Sequence, residues 1–150
     1  MTCPYFMPTE KLQGGGFQHP QRLPLGAGWN GVCCAHDTER FSPSEETVRE
    51  YCNMGYALTC SRLPTVRTWD AIRFSVVRDW RSHLSLQFVC ESNHTPSEHG
   101  KLEYDVTARK WTAAHKNSRV QKMAECYLES YLLRQSRTSL AIISSDGPSS

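Results

Sequence analysis

The chain has 150 residues, with 17 Lys and Arg against 15 Asp and Glu, and 39% of its residues are apolar. A length of this order makes one domain with a real core, and the composition excludes collagen, a coiled coil and a fully disordered chain. No stretch approaches about 18 consecutive apolar residues, which excludes a membrane-spanning helix, and a net charge of +2 gives no electrostatic case for nucleic acid.

The first third is rich in turn formers. Seven of the nine glycines precede Gly100, and five of the eight prolines precede Thr47. Residues 1–41 therefore read as irregular structure, with turns at Gly14–Gly16 and Gly26–Gly31. The run Gly26-Ala27-Gly28-Trp29-Asn30-Gly31 has the composition of a phosphate loop. It follows no strand and opens no helix, so it reads as a shaped approach to Cys33. The first helix begins near Ser42. Ser42 or Ser44 is its N-cap, Pro43 suits the first turn, and Glu45 and Glu46 suit the positive helix end. It ends near Cys52 or Met54, with Gly55 as its stop.

After Pro64 the period changes to two. Ile72, Phe74 and Val76 form one alternating run, and Leu84, Leu86, Phe88 and Cys90 form the next, joined by Arg78–His83. A loop over Ser92–Gly100 leads to a third strand through Leu102, Tyr104 and Val106, and a short fourth strand is expected at Trp111. Val120, Met123, Ala124, Tyr127, Leu128, Tyr131 and Leu132 fall on one helical stripe, capped by Asn117 or Ser118. Residues 138–150 read as a serine-rich flexible tail. The expected fold class is α+β: an irregular Cys/Gly/Pro-rich N-terminal segment (1–64), then an antiparallel three- to four-stranded meander with an amphipathic C-terminal helix packed on it (65–137), all within one compact domain.

The cysteines carry the chemical signal. Five of seven lie in the first 60 residues, at Cys3, Cys33, Cys34, Cys52 and Cys60. A segment this poor in regular structure needs something to hold it, and a metal bound by its cysteines would do so. The expected ligand set is Cys3, Cys33, Cys52 and Cys60. Four thiolates suit zinc or an iron–sulfur cluster. The pairs lack the short C-x2-4-C spacing of small zinc sites. An iron–sulfur cluster, [4Fe-4S] in the first instance, is wider and takes ligands from separate loops, so it is preferred to zinc. Neighbouring side chains diverge in extended backbone, which leaves Cys34 as a spare thiol or as the alternative to Cys33. His19 and His36 are the nearest replacement ligands. Glycines at positions 31 and 55 would let backbone N–H groups approach the sulfurs, and Tyr5, Phe6, Trp29 and Tyr56 would exclude water. Cys90 and Cys126 fall in patterned apolar elements and read as core residues.

Other patterns carry less. Seven is an odd count, and residues 1–20 lack a basic start followed by an apolar run. A disulfide scaffold is therefore not expected, and the chain is expected in the cytoplasm. No catalytic motif stands out: His36-Asp37 lacks the further ligands of a metal hydrolase, and a reactive thiol at Cys33 or Cys34 needs a lowered pKa. Arg62, Arg67, Arg73, Arg78 and Arg81, with Trp69 and Trp80, read as a solvated sheet face, not a nucleic-acid surface. The expected function is a small iron–sulfur protein with a redox, sensing or accessory role and a redox or protein partner. The alternative is a zinc-stabilised or metal-free protein-interaction module.

Overall fold

In the computed structural model, which describes residues 2–12, 23–36, 39–56 and 58–145, the period-two pattern after Pro64 forms an antiparallel sheet. Its strands, in spatial and chain order, are β4 (Ala71–Asp79), β5 (His83–Ser92), β6 (Thr95–Asp105) and β7 (Lys110–Ala113). Ile72, Phe74 and Val76 stand opposite Cys90, Phe88 and Leu86, so their side chains share one face. A bulge between Val76 and Arg78 ends this alternation and leaves Val77 exposed.

The β5–β6 connection is tighter than the expected loop over Ser92–Gly100. Asn93 and His94 both take positive φ, and β6 starts at Thr95. Two such residues form the kind of turn whose twist matches the flanking strands. Asp70 accepts the Asn93 backbone N–H at 2.7 Å, and the Tyr56 hydroxyl accepts that of His94 at 2.9 Å, with the Tyr56 and His94 rings stacked.

A long helix closes the apolar face of this sheet; it spans Ser118–Ser145, and we label it α2. The Asn117 side chain caps it by accepting the backbone N–H groups of Arg119 and Val120. Val120, Met123, Ala124 and Leu128 are buried against Phe74, Leu86 and Leu102. The helix continues through residues 138–145 of the expected tail, and residues 146–150 lie outside the described residues.

The α+β class, the four-stranded meander and the packed C-terminal helix agree with the sequence pattern. The N-terminal segment does not stay irregular. It forms a second antiparallel sheet of β1 (Phe6–Lys11), β2 (Trp29–His36) and β3 (Glu39–Phe41). Glycine enables this pairing. A Cβ at Gly31 would lie 2.1 Å from the Met7 carbonyl oxygen, so the close approach of β1 requires glycine there. Pro8 is accommodated beside a register shift between Pro8 and Glu10.

After β3, Ser44 caps a short helix, α1 (Glu45–Thr47), which passes into a π-helical turn over Val48–Cys52. One apolar cluster joins both sheets, including Phe6, Trp29, Val48, Ile72, Leu86 and Met123. The N-terminus is tied down by backbone hydrogen bonds in both directions between Thr2 and Ile72, at 2.7 and 2.9 Å, on the free side of β4.

Candidate metal centre

Four separate stretches bring sulfur to one place. Cys3, Cys33, Cys52 and Cys60 line a single cavity of about 20 Å³, walled by Tyr5, Phe6, Tyr51 and Leu63. A void of this size has room for about one water.

Each cysteine is positioned by a different device. Cys3 opens a tight turn in which the Phe6 N–H donates to the Cys3 carbonyl at 3.2 Å. The Cys3 sulfur also accepts backbone N–H groups from Tyr5 and Phe6. Cys33 stands in mid-strand, opposite Phe6 on one side and Phe41 on the other. Cys34 follows it in extended backbone, does not line the cavity, and donates its backbone N–H to the Tyr5 carbonyl at 2.8 Å.

Cys52 ends the π-helical turn and is buried. The next residue, Asn53, fixes that position. Its Oδ1 accepts the Trp29 N–H at 3.0 Å, while its Nδ2 donates to the carbonyls of Trp29 at 2.9 Å and Val48 at 3.0 Å. Asn53 thus acts as a strand partner for the start of β2. Cys60 lies on a loop whose ends are joined by the Tyr56 N–H donating to Asp70 O. A turn from Cys60 O to Leu63 N sets its local conformation.

Burial governs the thiols. It pushes Cys3 up to about 11 and Cys52 up to about 12, and the neighbouring cysteine sulfurs push both further in the same direction. The N–H bonds to Cys3 act against this shift. Two of the four are therefore neutral thiols at pH 7, and a metal bound there would have to displace their protons. Cys90 and Cys126, the expected core cysteines, are buried and likewise pushed up to about 12 by desolvation.

The donor set is chemically uniform. The cavity wall contains no Asp, Glu or His, and sulfur alone suits thiophilic metals. Among the described residues, no three Cys, His, Asp or Glu side chains are grouped so as to hold a metal ion. Tetrahedral zinc with Zn–S bonds of about 2.3 Å draws its four sulfurs to within about 4 Å of each other.

Several sequence expectations change. Tyr5 and Phe6 line the cavity, but Trp29 and Tyr56 do not, and Tyr51 does instead. Gly31 serves strand packing and not an approach to sulfur; the N–H donors to Cys3 come from its own turn. His36 is exposed at the end of β2 and away from the cavity wall, while His19 lies outside the described residues. The arginine-rich face is largely engaged. Arg67 bonds Asp70 and the Pro64 carbonyl, Arg73 pairs with Glu91 at 3.4 Å, and Arg78 lies over Trp80.

Sequence reasoning missed Asn53 and Arg62. Asn53 could have been found as a polar residue beside a helix-ending cysteine. Arg62, two residues after Cys60, lines the cavity with its guanidinium carbon 4.0 Å from the Phe41 ring centre. No helix among the described residues is long and apolar enough to cross a membrane. Comparison with protein-family models, with curated proteins and with solved structures finds no match for the chain.

Proposed function

We propose that the chain binds an iron–sulfur cluster, [4Fe-4S] in preference to [2Fe-2S], through Cys3, Cys33, Cys52 and Cys60. It acts as a small cytoplasmic protein with a redox, sensing or accessory role, passing electrons to or from a redox or protein partner. The observation that carries this reading is the convergence of four cysteines from four chain segments on one cavity whose wall holds no Asp, Glu or His. Complete thiolate ligation leaves no open position for a substrate. That favours electron transfer or sensing over catalysis at iron. The bound group would supply one-electron chemistry. The chain's own residues hold it, donate N–H groups to Cys3 and exclude water with Tyr5, Phe6 and Tyr51.

The test is anaerobic purification with metal and sulfide analysis. The reading expects brown protein with broad absorption near ~400 nm, as thiolate-bound clusters show. Cys52→Ser and Cys60→Ser should lose the colour, while Cys126→Ser should keep it. Colourless wild-type protein, or colour retained in the Cys52 and Cys60 variants, refutes the assignment.

One observation favours a second reading, a metal-free or zinc-stabilised interaction module. The cavity has room for about one water, and its buried thiols are protonated at neutral pH, as in an ordinary apolar core. One zinc per chain, or no metal at all, in colourless protein would select it.

A further inference from the structure

We propose that the groove between β7 and α2 binds an extended peptide segment that presents a lysine or arginine between aliphatic side chains. The groove shares no residue with the cysteine cavity, so this binding is independent of what the cysteines hold. α2 packs mainly against β1 and β4. On the β7 side of the sheet this leaves a groove of about 420 Å³, a volume in the range of ligand sites. Its floor is apolar. Tyr104 and Trp111 stand opposite each other across β6 and β7, with ring centres 5.1 Å apart, and Leu128 and Leu132 complete the floor from α2.

Charge selects the occupant. Glu125 and Glu129 stand exposed on the groove wall, one helical turn apart, and among the described residues neither forms an ion pair. Like charges at this spacing repel each other, and a cation beside them relieves the repulsion. The two aromatic rings on the same wall add a further attraction for a cation. Arg109, in the β6–β7 turn with a φ of 54°, is the one cation on the wall, and two carboxylates outweigh it. The backbone selects a peptide over a small cation. β7 is the edge of its sheet, and among the described residues its outer side pairs with no strand. An extended segment laid along that edge uses its free N–H and C=O groups and turns every second side chain to one face.

The probe is the peptide Thr-Leu-Thr-Lys-Thr-Leu-Thr, acetylated and amidated so that lysine carries its only charge, with a control that has Glu in place of Lys. Both are titrated into the full chain, and the amide and indole NMR signals are followed. The lysine peptide should shift the signals of Trp111, Thr112 and Leu128 and bind about tenfold more tightly than the control, the sum of two exposed ion pairs and one cation–π contact. The exposed double variant Glu125→Gln/Glu129→Gln, checked for an unchanged fold by circular dichroism, should bind the two peptides about equally. Equal binding of both peptides by wild type overturns the inference, as does an undiminished lysine preference in the double variant. Absence of binding, or shifts confined to the acidic surface at Glu45–Glu50, overturns it too. n-Butylammonium acting on the same signals with the affinity of the lysine peptide overturns the peptide assignment, because that cation makes no use of the β7 edge. None of these outcomes bears on the cysteine cavity.

Discussion

Replacing Asn53 by Ala tests how the N-terminal sheet is joined to the helix that carries Cys52. Asn53 is buried at 1% exposure, and its amide satisfies the Trp29 N–H, the Trp29 carbonyl and the Val48 carbonyl. Val48 O also receives the Asn53 backbone N–H at 3.3 Å, so it keeps a partner in the variant. The two Trp29 groups lose theirs. Leaving a buried donor or acceptor unsatisfied costs about 1–3 kcal/mol each, which places the loss at about 2–6 kcal/mol. That is a large share of a total stability of about 5–15 kcal/mol. For a chain of this length, at about 2–4 °C per kcal/mol, the midpoint should fall by about 4–24 °C. Chemical denaturation measures the energy, and hydrogen exchange at the Trp29 amide locates it. A loss below about 1 kcal/mol with Trp29 still protected would refute the reasoning. Asn53→Asp should not rescue, because it keeps the acceptor but removes both donated bonds and buries a charge.

Gly31→Ala should destabilise by about 3 kcal/mol, the upper end for overpacking, because the clash is with the backbone of Met7 and Pro8. Its signature is faster hydrogen exchange in β1, and wild-type exchange there would refute the steric account. Asp79 accepts bonds from the Tyr131 hydroxyl, the Arg81 N–H and Gln135, the Tyr131 bond acting most strongly, which together hold its carboxyl below the usual value. A depressed pKa contributes stability that is present above the unfolded value and lost as pH falls through the folded one. Asp79→Asn should therefore flatten the acid end of a stability–pH curve, and an unchanged acid limb would count against this link between the β4–β5 hairpin and α2.

The parts of the fold legible in the sequence are those governed by simple periods. Alternation marked β4 and β5, and the stripe from Val120 to Leu132 marked α2, because burial on one face enforces each pattern. The first sheet was illegible because its pairing depends on a long-range event. Gly31 is a turn former in isolation and becomes a strand residue only when Met7 lies against it. The β5–β6 turn was missed because Asn93 and His94 adopt positive φ without a glycine to signal it. At the candidate site, uneven cysteine spacing suggested Cys3, Cys33, Cys52 and Cys60 as a set, and these four line one cavity. The residues that complete the wall were not legible. Tyr51 and Arg62 reach it only because a π-helical turn and the Cys60 loop present them there.

The proposed metal ligation predicts that the metal-free and metal-loaded proteins would have different alkaline limits. Burial pushes Cys3 from 9.0 to about 11, and Cys52, Cys90 and Cys126 from 9.0 to about 12. A group whose folded pKa is raised contributes stability that is complete below its unfolded value, here near pH 9, and lost as pH rises through the folded value. Between pH 9 and 11 the metal-free chain should lose stability from all four thiols at about 1.4 kcal/mol per pH unit each. If a metal binds as proposed, Cys3 and Cys52 would already be thiolates in the loaded protein, and only Cys90 and Cys126 would continue to titrate. Loading should therefore roughly halve the alkaline slope contributed by cysteine, a difference that lysine and tyrosine titration common to both forms does not mask. Denaturant unfolding at pH 8.5, 9.5 and 10.5 (the first below the range where the slopes diverge, the other two inside it), with and without the metal, measures it. Equal slopes in the two forms would mean that Cys3 and Cys52 do not deliver their sulfurs to a metal.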